Sequence, residues 1–367
     1  MRHRPLPLVL SMALLVSCSL VPTSGVDPTL TPTTSPMTAA AAATAPPAVD
    51  RTALPSATPA PALDPTMAIE IAAAGPAAAQ QRGIEPLCLR WEDTDGDGEP
   101  EWLGVYVRPT DPPRLAGFIV DGDSWYELEA VEEEKYGLGE HAVCDVEADD
   151  VNADGQVEII IWGHAETTIE LLHVFVWRNS GYEEIASFQS DAGLAMTDVD
   201  GHPGQEIIVR QDVGDGLAWE TIHAWDGTDY AWVWERYGWL YADHPHAYVS
   251  DEPKHAVISF YLALDDRDMR EAYNLLACTA QAAQPYESWA VGFDSTLAVE
   301  VGSVHEIRRG QSEATVTAQV RSYDNLDGYI VGRLWDVTWS LVYEGETWRL
   351  SVATNNELER WEAPYFK

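Results

Sequence analysis

Asp93-Thr94-Asp95-Gly96-Asp97-Gly98-Glu99-Pro100-Glu101 is a nonapeptide that the chain uses more than once. Asp150-Val151-Asn152-Ala153-Asp154-Gly155-Gln156-Val157-Glu158 repeats it, and Asp198-Val199-Asp200-Gly201-His202-Pro203-Gly204-Gln205-Glu206 repeats it again with a changed middle. Every copy has an oxygen-bearing side chain at positions one, three and nine. Hard cations such as Ca²⁺ take several oxygen ligands at about 2.3–2.6 Å, and a short glycine-containing loop with alternating carboxylates and amides supplies them.

The residues after each loop decide its type. A helix-loop-helix calcium site carries a carboxylate at position twelve and continues as a helix. Here that position holds Gly104, Ile161 and Val209. The runs Glu101 to Val107, Glu158 to Trp162 and Glu206 to Val209 are apolar, aromatic and β-branched, which predicts strands. These are turn sites between strands.

With Asp93, Asp95, Asp97, Gly98 and Glu101 in the first loop and Asp150, Asn152, Asp154, Gly155 and Glu158 in the second, the chain resembles the calcium-binding FG-GAP or VCBS repeats of integrin-α-type β-propellers. The Phe-Gly and Gly-Ala-Pro signatures of that family are absent. The resemblance implies two Ca²⁺ sites, one around Asp93, Asp95, Asp97, Glu99 and Glu101 and one around Asp150, Asn152, Asp154, Gln156 and Glu158. The third loop departs from the pattern at His202 and Pro203, so no ion is assigned at Asp198. Acidic Asp-Gly hairpin turns that bind nothing are the competing interpretation.

Residues 1–18 have the layout of a lipoprotein signal peptide. Arg2 and Arg4 precede an apolar run too short for a confident membrane span, which ends in Leu15-Val16-Ser17-Cys18. That ending resembles the bacterial lipobox and implies lipidation of Cys18, with an ordinary secretory peptide as the alternative. Either way an extracytoplasmic location is expected, held at a membrane by the lipid alone. Residues 19–82 are rich in Pro, Ala, Thr and Ser and read as a disordered tether, with an Ala-rich stretch at Met67 to Ala79 able to form a transient helix.

The folded remainder contains every one of the 15 Trp and most of the charge; with 60 acidic against 21 basic residues, the formal net charge is −39. Such a field disfavours nucleic acid and anionic lipid as partner surfaces. Cys88 and Cys144 stand at matching places before the first two loops, which suits either a disulfide or two small buried thiols. Cys278 has no evident partner. Loop starts 57 and 48 residues apart suit units of about four strands, with outer hairpins at Arg114 to Tyr126, Leu171 to Tyr182 and Thr221 to Tyr230. Three units are few for a closed propeller, so a partial β-propeller-like antiparallel repeat domain is expected over 83–243.

Asp243, His244 and His246 have metal-donor chemistry but sit in a proline-containing connection. After it the periodicity changes. Ser250 or Asp251 is expected to cap a helix through Val257, Phe260, Tyr261 and Leu264. A second follows from Asp268 and Glu271 to Leu276, and a third piece at Tyr286 to Phe293. Strand-like runs cover Leu297 to Ile307, Ala314 to Tyr323, Tyr329 to Tyr343 and Trp348 to Ala353, with 356–367 as a tail. The helices, Tyr286-Glu287-Ser288-Trp289, and the strand ending in Trp348-Arg349-Leu350 resemble the nuclear transport factor 2-like family. That implies a smaller α+β cone, helices on a curved antiparallel sheet, over 251–355. The fold class is thus β plus α+β.

No Ser-His-Asp or Cys-His arrangement and no phosphate loop is evident, and Asp294, His305 and Asp336 do not pair by spacing. The function expected is a non-enzymatic, membrane-anchored module with no catalytic residues, meeting an unknown extracellular protein or glycan. The alternative is an envelope isomerase, cyclase or hydratase with its pocket in the cone.

Overall fold

Among the described residues, apolar side chains alternating with period two, punctuated by Asp- and Gly-rich turns, build sixteen strands in four antiparallel sheets. The computed structural model describes residues 77–130, 135–241 and 246–363. The leader with Cys18, most of the expected tether, Asp243 and His244 lie outside them. Sheet 1 contains β1 (Pro86–Glu92), β2 (Glu101–Arg108), β3 (Arg114–Asp121) and β4 (Ser124–Leu128). Sheet 2 contains β5 (Val146–Asp149), β6 (Glu158–Ala165), β7 (Ile169–Arg178) and β8 (Gly181–Ser190). Sheet 3 contains β9 (Leu194–Thr197), β10 (Glu206–Gly214), β11 (Leu217–Trp225) and β12 (Tyr230–Trp239). Sheet 4 contains the longer β13 (Thr296–Arg309), β14 (Glu313–Leu326), β15 (Tyr329–Glu344) and β16 (Thr347–Ala363). Strands neighbour one another in chain order throughout.

The first three sheets pack face to face in series. Ile159 and Ile161 of β6 meet Leu103, Val105 and Ile119 of sheet 1, while Ile160 between them points the other way, toward Leu194 and Ile207 of sheet 3. A sheet buried on both faces needs a continuous apolar run, which is why β6 reads Ile-Ile-Ile. Ile207 of β10 faces sheet 2 and Ile208 faces away, beside Ile222, Trp234 and Leu334 of sheet 4. The outer face of sheet 1 is closed by a helical turn at 77–81, whose Ala79 is fully buried near Phe118. The turn at 77–81, which the sequence places in the tether, thus packs on sheet 1 together with Leu89, Trp102 and Trp125. The Cys88 and Cys144 sulfurs are bonded, tying β1 to the segment that enters β5.

Sheets 3 and 4 join through a buried ion network. Glu220 accepts from Arg210 Nε at 2.9 Å and Arg236 Nε at 2.8 Å, and Arg236 reaches across to Glu300 of β13. Gly302 leaves room for the Trp234 ring, which would lie 3.0 Å from a β-carbon there. On sheet 4, α1 (Pro253–Asp265) buries Val257, Phe260, Tyr261 and Leu264 against Val301, Val316, Trp339 and Leu350. Burying that many large apolar side chains, each contributing about 1.5–3 kcal/mol, is what holds this part together.

Details differ from the sequence expectation here. The α1 N-cap is Glu252, without a side-chain cap: Asp251 binds His255 at 2.8 Å instead, and the Ser250 hydroxyl does not cap. Asp268 caps α2 (Met269–Asn274) by accepting from the Glu271 N–H at 3.2 Å. An extra helix, α3 (Cys278–Ala283), precedes α4 (Tyr286–Ala290). The expected tail from 356 is strand as far as Ala363, because β16 pairs with β15 along its whole length, Ile330 opposite Ala363.

Gly163 in β6 is a sharp test of the sheet 1–sheet 2 junction, since a β-carbon there would sit 1.8 Å from the Leu138 carbonyl oxygen. Gly163→Ala is expected to lose roughly 1–3 kcal/mol of stability in urea unfolding. An unchanged midpoint would mean that the 136–139 crossing is not packed as described.

Candidate metal centres

The three acidic loops are the first turns of sheets 1, 2 and 3, joining β1 to β2, β5 to β6 and β9 to β10. Their internal bonding is nearly the same. In loop 1, Asp93 accepts from the N–H groups of Gly96 (2.8 Å) and Gly98 (3.0 Å), Asp95 from Asp97 (3.1 Å) and Asp97 from Glu99 (2.7 Å). In loop 2, Asp150 accepts from Gly155 (3.1 Å), Asn152 from Asp154 (2.8 Å) and Asp154 from Gln156 (2.9 Å). In loop 3, Asp198 accepts from Gly201 (2.6 Å) and Asp200 from His202 (2.8 Å). Position four has positive φ in each copy, at Gly96, Ala153 and Gly201.

A carboxylate at position nine closes each loop. Glu101 accepts from the Thr94 N–H at 2.6 Å, Glu158 from Val151 at 3.1 Å and Glu206 from Val199 at 2.7 Å. All three are buried, which is unusual for a charged group facing others of the same sign. Burial raises the Glu101 and Glu206 carboxyls above the ordinary range against these hydrogen bonds, with neighbouring aspartates adding to the rise. In Glu158, burial first and then the charge of Asp154 push the carboxyl up to about 7. Its Oε1 has no well-formed hydrogen bond.

The structure brings together donor oxygens of Asp93, Asp95, Asp97 and Glu101, all within 4.8 Å of one another. It does the same for Asp198, Asp200 and Glu206, the loop to which no ion was assigned. His202 Nδ1 lies 2.9 Å from Asp200 Oδ2 and so engages one oxygen of a carboxylate in this set. Among the described residues no third such set is gathered, so the loop 2 carboxylates stand further apart. Glu99 and Gln156 are exposed; only their backbone N–H groups engage their loops. The acidic clusters of loops 1 and 3 can hold a metal ion.

Other candidates are placed elsewhere. His246 binds Asp266 at 2.9 Å beside Trp239 and Tyr248, a knot that pins the connection to the end of α1. Asp294, His305 and Asp336 are exposed. Thr94 and Tyr182 were missed: Thr94 Oγ1 donates to Glu101 at 2.8 Å and meets the Tyr182 hydroxyl at 2.6 Å. The repeated Trp-to-Tyr turn, Trp177 to Tyr182 and Trp225 to Tyr230, was the available signal.

Without divalent ions the raised Glu158 carboxyl has a defined sign. The folded chain holds that proton more tightly than the unfolded chain, so its stabilising contribution is full below the ordinary value of 4.5 and is lost as pH rises through about 7. In chelator, the melting temperature is expected to fall between about pH 5 and pH 8, and Glu158→Gln to flatten that slope. An identical slope in the variant would contradict the burial described.

No family model matches the sequence, and no curated protein matches it. Among solved structures, that of Bd1075 from Bdellovibrio bacteriovorus aligns at 10% identity and a TM-score of 0.22, over 51% of this chain and 90% of that chain. A likeness that loose carries neither fold nor function across.

Proposed function

We propose that this chain is a calcium-stiffened, non-enzymatic interaction module of the extracytoplasmic space, carried on a lipid anchor at Cys18 and a tether. The observation that carries the proposal is the gathering of the Asp93, Asp95, Asp97 and Glu101 oxygens in a loop built the same way three times. All the donors are carboxylates, with neither Cys nor His in the set, which suits a hard cation and not zinc. Loops of this kind, with glycine turns and no rigid frame, favour calcium over magnesium, which demands near-ideal octahedral geometry. Loop 2 adds an unsatisfied buried oxygen on Glu158, and loop 3 adds three converging carboxylates.

In this proposal sheets 1 to 3 are a partial propeller of FG-GAP or VCBS type, and helices and sheet 4 are a cone of the nuclear transport factor 2-like kind. The work of the ion is mechanical. Gathered carboxylates repel one another, and an ion bound only by the folded state stabilises it in proportion to its saturation. The partner is an extracellular protein or glycan. Exposed Trp232 (58%) and Tyr329 (65%) are aromatic surfaces of the kind such partners use.

Thermal melts of the complete chain in calcium and in chelator test this. Calcium at a hundredfold above its dissociation constant is expected to raise the melting temperature by roughly 5–10 °C per site. The paired substitution Asp95→Asn and Asp97→Asn should remove the share due to loop 1. Equal melting temperatures in calcium and chelator would refute the proposal.

A further inference from the structure

Loop 1 is not built from sheet 1 alone. Tyr182 comes from the start of β8 in sheet 2, and its ring is fixed against Tyr126 of sheet 1 (5.6 Å between centroids) and Trp177 (4.9 Å). From there its hydroxyl reaches Thr94 Oγ1 at 2.6 Å. The Thr94 hydroxyl has one proton, and that proton goes to Glu101 Oε2 at 2.8 Å. With Glu101 ionised, as an ion-bound loop requires, Tyr182 is the donor to Thr94, giving a chain O–H···O–H···carboxylate in which each bond polarises the next. Thr94 and Glu101 are each 1% exposed, so water does not compete for these groups. Burial, with the charges of Glu101, Asp95 and Asp121, raises the Tyr182 phenol well above its usual range and keeps it protonated.

Loop 2 offers an internal comparison. Val151 stands where loop 1 has Thr94, and Tyr230 of sheet 3 stands where it has Tyr182. Tyr230 is buried, and Glu158, Asp154 and Asp150 are among the charges acting on it. With no hydroxyl at position two to join them, the Tyr230 hydroxyl and Glu158 Oε1 are both without a hydrogen-bond partner. Loop 2 is also the loop whose carboxylates are not gathered. Loop 3 gathers Asp198, Asp200 and Glu206 with Val199 at position two, so the hydroxyl relay is particular to loop 1 and not a requirement of the turn.

We propose that Tyr182 is a positioning residue for the loop 1 ion site, acting through Thr94 on Glu101, so that ion occupancy of loop 1 and docking of sheet 2 on sheet 1 are linked. This rests on the calcium reading of loop 1. Linkage is reciprocal: whatever sheet 2 docking does for the ion's affinity, the ion does for the docking. The ring of Tyr182 packs and its hydroxyl aims, so removing the oxygen alone separates the two roles.

The test uses the complete chain with loops 2 and 3 disabled by Asp150→Asn, Asp154→Asn, Asp198→Asn and Asp200→Asn, titrated calorimetrically with calcium chloride. Tyr182→Phe and Thr94→Val are each expected to weaken calcium binding about tenfold, the size of one hydrogen bond lost from a polarised chain that ends on a carboxylate. Their combination should be little worse than either alone, and Thr94→Ser should retain wild-type affinity. A merely structural role would instead lower the melting temperature in chelator and leave affinity untouched. Calcium affinity unchanged in both Tyr182→Phe and Thr94→Val overturns the relay while leaving the calcium reading standing. No calcium uptake by the parent chain overturns both. Hydrogen exchange on the unsubstituted chain gives an answer independent of any variant's folding. Calcium should slow exchange at 181–190 as well as at 93–101, and protection confined to sheet 1 would overturn the linkage.

Discussion

Each acidic loop is closed by one buried carboxylate accepting the N–H of the loop's second residue: Glu101 on Thr94, Glu158 on Val151, Glu206 on Val199. That bond places a charged group at the base of a turn already lined with aspartates. Burial and like charges both favour its protonated form. In a chain of net charge −39 there are few cations to spare: Lys and Arg number 21 in all. Among the described residues, the ion pairs found do not include any aspartate or position-nine glutamate of loops 1 and 2, and in loop 3 only Asp200 has one, to His202. Protonation relieves this charge at low pH, and in the function proposed above a divalent ion relieves it at neutral pH in the smallest volume.

The same carboxylates start the second strands of sheets 1 to 3, so loop geometry and sheet packing are set together. Ile159 and Ile161 face one neighbour and Ile160 the other, immediately after Glu158. A shift of one residue at the loop would exchange these faces. Loops 2 and 3 also touch directly: the Gln205 N–H donates to the Val151 carbonyl at 2.7 Å. Gly204 there, with φ of 107°, passes so close to Asn152 that a β-carbon would be 3.1 Å from its carbonyl oxygen. Sheet 3 then meets sheet 4 through Arg236 and Glu300 and through Arg321 over the Trp234 ring, so a rigid loop has a packed route into the helical part of the chain.

Much of this was legible in the sequence because it rests on local pattern. The loops announce themselves by acids at odd positions, their spacing gives four-stranded units, and Val257, Phe260, Tyr261 and Leu264 give α1 by helical period. What escaped depends on contacts distant in sequence or on backbone geometry. The gathering of loop 3 was hidden because Pro203 replaces the expected glycine, whereas the positive φ values are taken up by Gly201 and Gly204 on either side. The end of β16 was missed because Asn355, Glu357 and Glu359 are exposed and show no alternation; backbone pairing with β15 makes that strand. The turn at 77–81 carries only alanines into the core. Tyr182 looked like a hairpin residue because nothing local says that its hydroxyl meets Thr94, 88 positions earlier.

The central claim is that a divalent ion occupies the oxygen set of loop 1. Crystals of the complete folded part grown with calcium, measured at a wavelength where calcium scatters anomalously, test it most directly. The account expects a peak among Asp93, Asp95, Asp97 and Glu101 with ligand distances of about 2.3–2.6 Å. Side chains turned outward into solvent, with no anomalous peak at millimolar calcium, would contradict it.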